Sequence, residues 1–392
     1  MARWNNKYIN KVIQGDCLSV LKTFEDESID MVMTSPPYWA LRDYGTATWE
    51  GGDENCNHKK NPEPLSKKAL SKSTIGAASS TGHALEGYKN ICGKCGAKRI
   101  DKQIGLEPTF QEYINKLCDI FDEIKRVLKK EGSCWVNLGD TYASAPVSGK
   151  QGGFQGEVTR DNPVISNVKK PKTNLPEKSL LQIPSRFAIE MTNRGWILRN
   201  EIIWHKPNCM PSSVEDRFTV DFEKLFFFVK NKKYWFETQY EPMVENSDAK
   251  YRARIRANKK YNSKEPYKNN TPYATNKINS DVRLSAGENA NRAFGDNKSL
   301  EKMLDKGRNK RTVWKITTQP YPEAHFAVYP PKLCETPIKA GCPKEGVVLD
   351  PFFGSGTTGA VARSIDRNWI GIELNPEYIK LAEDRFKQEQ LF

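Results

Sequence analysis

Several stretches of the chain share one pattern, a short unbroken apolar run that stops abruptly at residues with chemistry. Ile29-Asp30-Met31-Val32-Met33 runs into Thr34-Ser35-Pro36-Pro37-Tyr38. Val347-Val348-Leu349 runs into Asp350-Pro351-Phe352-Phe353-Gly354-Ser355-Gly356, and Trp369-Ile370-Gly371-Ile372 into Glu373-Leu374-Asn375-Pro376. Runs of this length, bounded by Gly and Pro, predict buried strands. Tyr8–Gln14, Cys134–Leu138 and Trp196–Trp204 extend the set. Between the strands the spacing becomes helical: Tyr113, Leu117, Ile120, Phe121, Ile124, Val127 and Leu128 predict a helix over Gln111–Lys130 that Gly132 ends. Further helices are expected through Leu18, Leu21 and Phe24, over Ile183–Arg194, from Thr357 to Ser364, and from Pro376 to Gln388. Alternating strand and helix predict an open α/β sheet. Asp221–Val229 and Lys232–Phe236 read as an antiparallel pair that completes it.

The pattern breaks in three places. From Gly45 to Gln103 the sequence is polar and rich in Gly and Ser, with a Ser and Thr run over 66–81 expected as a loop. Tyr142–Pro176 has no periodicity and reads as a long loop near the active face. From Glu237 to Lys310 apolar periodicity gives way to Asn, Lys and Arg, with Tyr251, Tyr261, Tyr267 and Tyr273 interleaved. The expected organisation is therefore a catalytic domain in three parts, 1–46, 103–236 and 313–392, interrupted by insertions at 47–102 and 237–312.

Charge gives the second insertion a partner. The chain carries a formal net charge of +13, and Glu245–Thr312 holds 17 Lys and Arg against 8 Asp and Glu. Nucleic acid is the polyanion such a patch suits. Basic side chains hold phosphates, and Asn and Arg can make bidentate contacts to purine edges, so 237–312 is expected to be the target-recognition segment. The sequence shows no N-terminal signal pattern and no apolar run of membrane-spanning length, so a soluble, cytoplasmic protein is expected. Nine cysteines scattered through so long a chain do not resemble a secreted disulfide framework. Four ligands, Cys56 and His58 with Cys92 and Cys95, have the spacing of a closed structural zinc site, which would order an insertion too poor in apolar residues to fold alone. Redox cysteines are the alternative.

The strand ends supply the remaining chemistry. In an open α/β sheet, a side chain just past the C-terminal end of a strand faces the ligand crevice. Asp16 follows the first strand, where it can face that crevice or cap the next helix. Asp140 is a further crevice-facing candidate. Gly354 and Gly356 permit close backbone approach, and Thr357 opens a helix whose first N–H groups are available. Glu373 ends a strand some twenty residues beyond the glycine loop, where an acid can bind both hydroxyls of a ribose. In Ser35-Pro36-Pro37-Tyr38, two prolines remove two backbone donors and leave carbonyls as acceptors, which suits an amino-group substrate.

Ser-Pro-Pro-Tyr first and Phe-x-Gly-x-Gly last resembles the S-adenosylmethionine-dependent DNA amino-methyltransferases, in the permuted motif order called the β class. The resemblance covers all but the cysteine insertion and Glu237–Lys310. It implies a Rossmann-like methyltransferase fold, with a mostly parallel seven-stranded sheet and one antiparallel hairpin. It also implies double-stranded DNA as substrate and leaves room for a cognate restriction endonuclease, with the enzyme a monomer or homodimer. Asp350, Gly354, Gly356, Thr357 and Glu373 would hold S-adenosylmethionine, with Asp16 and Phe352 at its adenine. Ser35 and Pro36 would accept from the target amine, Pro37 would shape the turn, and Tyr38 would stack on the flipped base. Trp204-His205-Lys206-Pro207-Asn208 matches the family's target-base pocket, and His325–Pro331 its segment over the methionine moiety. Ser in place of Asp ahead of Pro-Pro-Tyr favours cytosine N4 over adenine N6, because a hydroxyl can also donate to the cytosine ring nitrogen.

Rival readings lack a use for these residues. A dinucleotide-binding dehydrogenase wants Gly-x-Gly-x-x-Gly near the N-terminus and gives Ser-Pro-Pro-Tyr no task. A non-catalytic zinc-containing DNA-binding protein explains the charge but not Asp350, Phe352 and Glu373 together. A cytosine-carbon methyltransferase needs a nucleophilic cysteine, and the chain has no Pro-Cys dipeptide to supply it.

Overall fold

The computed structural model describes residues 5–41, 44, 46–56, 91–92, 94–143, 173–243, 249, 252–253, 255–256, 301, 304–319 and 329–388. It divides into two compact units, residues 1–236 with 313–392, and residues 237–312. In the larger unit the strands are β1 (Lys11–Gln14), β2 (Ile29–Thr34), β3 (Thr48–Glu50), β4 (Lys98–Ile100), β5 (Leu128–Leu138), β6 (Ile197–His205) and β7 (Phe222–Val229). After β8 (Tyr240–Glu241) and β9 (Arg308–Asn309) of the smaller unit come β10 (Val313–Lys315), β11 (Val347–Asp350) and β12 (Asn368–Glu373). The helices are α1 (Asn5–Tyr8), α2 (Cys17–Leu21), α3 (Phe110–Val127), α4 (Ile183–Asn193), α5 (Pro331–Gly341), α6 (Thr357–Ser364) and α7 (Pro376–Gln388).

The main sheet has the order β1-β12-β11-β2-β5-β7-β6-β10. Every neighbouring pair is parallel except the two that involve β7, so one strand alone runs against the rest. The mostly parallel α/β sheet expected from the sequence is thus present, with β10 as an additional eighth strand at the edge. One pairing differs from expectation. Lys232–Phe236 forms no strand, because β7 already has β5 on one side and β6 on the other. The rings of Tyr234 and Phe236 instead pack against Phe227, with centroids 5.8 and 5.6 Å away. The helix expected to reach Lys130 ends at Val127, where Leu128 takes extended backbone angles and starts β5.

Strand alternation sorts the apolar side chains into two layers. Val32, Cys134, Val136, Phe226 and Phe228 face α3 and α4, where Tyr113, Leu117, Phe121 and Phe187 complete one core. Met31, Met33, Trp135, Leu225 and Phe227 face the other way, against Leu333 and Ile338 of α5, Val361 of α6 and Ala382 of α7. Helices on both faces leave the strand ends as the place where a ligand can enter. Among the described residues no helix is long and apolar enough to cross a membrane. The loop expected over 66–81, most of Tyr142–Pro176, His325–Val328, and Tyr251, Tyr261, Tyr267 and Tyr273 lie outside the described residues.

Candidate active site

A cavity of about 610 Å³ runs along the edge of the sheet at which the parallel strands end. Its lining follows the strand order. Asp16 comes from beyond β1 and Glu373 from β12. Phe352, Gly354, Ser355 and Thr357 follow β11, and Ser35, Pro36, Pro37 and Tyr38 follow β2. Asn137 of β5, Glu223 of the reversed β7, and Trp204, Lys206 and Asn208 from the end of β6 close the far side. Groups more than three hundred residues apart in sequence therefore meet because β11 lies between β12 and β2 in the sheet.

The glycine loop is held from beneath. Phe353 is buried and stacks on Trp369 at 5.0 Å, while Phe352 faces the cavity. A Cβ at Gly371 would lie 2.4 Å from the Phe353 ring, so only glycine lets that anchor seat. Gly354 and Gly356 have φ of 52° and 80°, the left-handed region that glycine enters without strain. The Gly354 N–H donates to Glu373 Oε2 at 2.8 Å, and the Asn375 N–H to Oε1 at 2.8 Å, which fixes the acid against the loop. Burial raises the Glu373 pKa above the usual glutamate range, and these N–H groups oppose the shift. Asp16 does cap α2, with Oδ1 accepting from the Ser19 N–H at 2.9 Å and the Ser19 hydroxyl at 2.7 Å, and it also lines the cavity. The helix cap that the sequence allows is therefore present in a residue that also faces the crevice.

Other expectations change. Asp350 is 1% exposed and does not line the cavity. Its Oδ1 accepts from the Thr34 hydroxyl at 2.6 Å and the Phe352 N–H at 3.1 Å. Its Oδ2 accepts from the Thr358 hydroxyl at 2.6 Å and the Tyr329 hydroxyl at 3.1 Å. Burial pushes its pKa up while the donors oppose the shift, and its capacity is spent on tying β2, α6 and the glycine loop together. Gly356 is likewise outside the lining and serves as the N-cap of α6. Asp140 accepts from the N–H groups of Thr141 and Ile183 at 2.8 and 3.1 Å, so it secures the start of α4. His58 lies outside the described residues.

At the Ser-Pro-Pro-Tyr end, the Tyr38 ring covers Gly139, where an added Cβ would come within 2.5 Å of it. Its hydroxyl donates to Glu223 Oε2 at 2.7 Å. Burial, then the Glu223 charge, pushes the Tyr38 pKa well up, so the phenol keeps its proton. Lys206 donates to the other Glu223 oxygen while sitting 4.4 Å above the Trp204 ring centroid. Asn137 donates from Nδ2 to the Lys224 carbonyl at 3.2 Å, which turns its Oδ1 toward the Ser35 hydroxyl 3.4 Å away. The Pro37 carbonyl accepts from Tyr113 at 2.9 Å. Asn137 and Glu223 were not expected from the sequence. The signal for Asn137 is a lone amide inside the apolar run Cys134–Leu138.

Two buried hydroxyls in the lining, Ser355 Oγ and Thr46 Oγ1, make no hydrogen bond among the described residues. Buried polar atoms are rarely left so, and their placement fits a cavity whose ligand supplies the partners. A doubly wound sheet whose cavity crosses its C-terminal strand ends, with the glycine loop last in sequence, places the chain among the Rossmann-like methyltransferases. Residues 29–384 match the model of the N6/N4 DNA methylase family, and the chain belongs to that family. The Type II methyltransferase M.Cfr9I of Citrobacter freundii is 32% identical over 380 residues, which span 96% of this chain and 88% of that protein. M.SmaI of Serratia marcescens is 32% identical over 375 residues, spanning 96% and 90%. The solved PvuII DNA methyltransferase (cytosine-N4-specific) is 18% identical with a TM-score of 0.48, covering 96% of this chain and 85% of that one.

Proposed function

We propose that the chain is a Type II modification enzyme that transfers the methyl group of S-adenosylmethionine to the 4-amino group of a cytosine flipped out of duplex DNA. The observation that carries this reading is the order of the cavity wall: the glycine loop and Glu373 stand at one end, and Ser35–Tyr38 with Asn137 at the other. The methyl donor supplies an electrophilic carbon on a sulfonium. Glu373 would accept from its ribose hydroxyls, Asp16 and Phe352 would meet its adenine, and the backbone at Gly354 and Thr357 would flank its amino-acid part. Asp350 and Gly356 would act indirectly, by holding the loop in shape.

Ser35 and Pro36 would accept from the two N–H bonds of the target amine, which localises its lone pair for in-line attack. The N–C bond forms as the C–S bond breaks, and the amine then loses a proton. The chain's share is positioning and stabilisation of charge developing on that nitrogen. Tyr38, fixed through Glu223 and Lys206, would offer its ring to the base. The 3.4 Å contact from Ser35 to Asn137 is long for a hydroxyl donor, so turning that hydrogen to a cytosine ring nitrogen costs little. Segment 237–312 would read the DNA sequence, and a cognate restriction endonuclease would be the enzyme whose cutting the mark blocks.

Digestion of modified DNA to nucleosides and mass spectrometry should show 4-methylcytosine. 6-Methyladenine as sole product would overturn the base assignment while leaving the transfer mechanism standing.

Glu373→Gln should weaken S-adenosylmethionine binding by about tenfold to a hundredfold by calorimetry, since hydrogen bonds to a charged acceptor contribute about 1.5–3 kcal/mol. Its pH signature has a definite sign. The raised folded pKa means that the ligand-free protein gains stability from this group below the unfolded value of about 4.3 and loses it as pH rises through the folded value. The stability difference between Glu373→Gln and the parent protein should therefore move in the variant's favour over that rise. A pH-independent difference in urea unfolding would count against a desolvated carboxylate here.

A further inference from the structure

We propose that Cys56, Cys92 and Cys95 hold a structural zinc ion that braces one wall of the cavity. The sulfurs of the three residues lie within 4.8 Å of one another. Cys56 and Cys92 are 3.9 Å apart, far beyond the roughly 2.05 Å of a disulfide and suited to two ligands on one metal. The backbone is built for this convergence. Cys92 and Cys95 sit on a knuckle closed by the Gly96 N–H to the Cys92 carbonyl at 2.9 Å, with Gly96 at φ 74°. Cys56 ends a turn in which its N–H donates to the Asp53 carbonyl at 3.0 Å. Gly52 brings that turn against the knuckle, where a Cβ would lie 2.8 Å from Cys95 Sγ. Tetrahedral zinc takes a fourth ligand, for which the sequence offers His58, outside the described residues.

Among the described residues packing contributes little to this lobe. β3 and β4 pair over three residues each, and among the described residues from Thr46 to Ile100 only Ala97 is buried. A short two-stranded ribbon with so little apolar contact is marginal in water, which is the situation a metal cross-link remedies. The ribbon is also the cavity's neighbour in the chain. Thr46, two residues before β3, and Lys102, Gln103 and Ile104, just after β4, all line the cavity. Gln103 Oε1 accepts from the Tyr44 N–H at 2.8 Å, which joins the two ends. Zinc at the far end of the ribbon would hold both segments in place, and this bracing role rests on the cofactor reading of the cavity.

The test is metal analysis of the full chain, purified reduced and without chelator, followed by calorimetry. About one zinc per chain, with X-ray absorption showing at least three sulfur neighbours near 2.3 Å, is expected. Cys95→Ser should lower the zinc content at least about tenfold under the same purification. Stripping the metal should weaken S-adenosylmethionine binding about tenfold, and adding zinc back should restore it. Less than half an equivalent of zinc in the parent protein, or fewer than three sulfur neighbours, would overturn the site. Unchanged affinity in stripped protein would overturn the brace. Zinc-loaded protein that binds no S-adenosylmethionine would confirm the metal and reject the cofactor reading instead.

Discussion

Asp350→Ala should destabilise the protein by at least about 3 kcal/mol in urea unfolding, and it should do so without any ligand present. The substitution takes the acceptor away from four donors, the buried hydroxyls of Thr34 and Thr358 and the part-buried Tyr329 hydroxyl and Phe352 N–H. Each donor left unsatisfied in the interior costs about 1–3 kcal/mol. Asp350→Asn keeps the shape but replaces one acceptor oxygen with a donor, so its loss should be smaller than that of the alanine variant. If Asp350→Ala instead kept full stability and lost only cofactor affinity, the carboxylate would be a direct ligand and the buried network a minor feature.

Ser35→Ala should leave S-adenosylmethionine and DNA affinity near the parent values while lowering kcat about 10²- to 10³-fold, the usual effect of deleting one preorganised group that acts mainly in the transition state. Ser35 is suited to that role because its hydroxyl, held only by a long 3.4 Å contact to Asn137, can turn to the substrate while the side chain stays partly exposed to the cavity. Single-turnover kinetics separates the chemical step from product release. A variant with near-normal single-turnover rate would remove Ser35 from the reaction.

These two residues show what the sequence could reveal. The place of Ser35 in the cavity wall was legible because it follows a buried strand of an open sheet, whose C-terminal end opens on the crevice. The place of Glu373 in that wall was legible from its distance past the glycine loop. Asp350 looked the same as either, an acid ending a buried strand, but its partners Thr34 and Tyr329 come from β2 and from the approach to α5, and no local pattern announces contacts between segments that distant. Asn137 and Glu223 were hidden for a related reason. Asn137 is one polar residue in an apolar run and Glu223 one of several at the start of β7, and their shared place in the cavity wall appears only once β5 and the reversed β7 are side by side. The misread strand at Lys232–Phe236 has the same origin: its aromatic content suited a strand, but no free edge remained beside β7.

The most direct test is transfer itself. Purified protein is incubated with duplex DNA and S-adenosylmethionine bearing a deuterated methyl group, and the DNA is then digested and its nucleosides weighed. The expected result is deuterated methyl on the exocyclic nitrogen of cytosine with the parent protein, and at least about a hundredfold less in the same time with Ser35→Ala. Label at cytosine carbon 5, or no label in DNA from a protein that binds both partners, would contradict a cavity built for amine methylation.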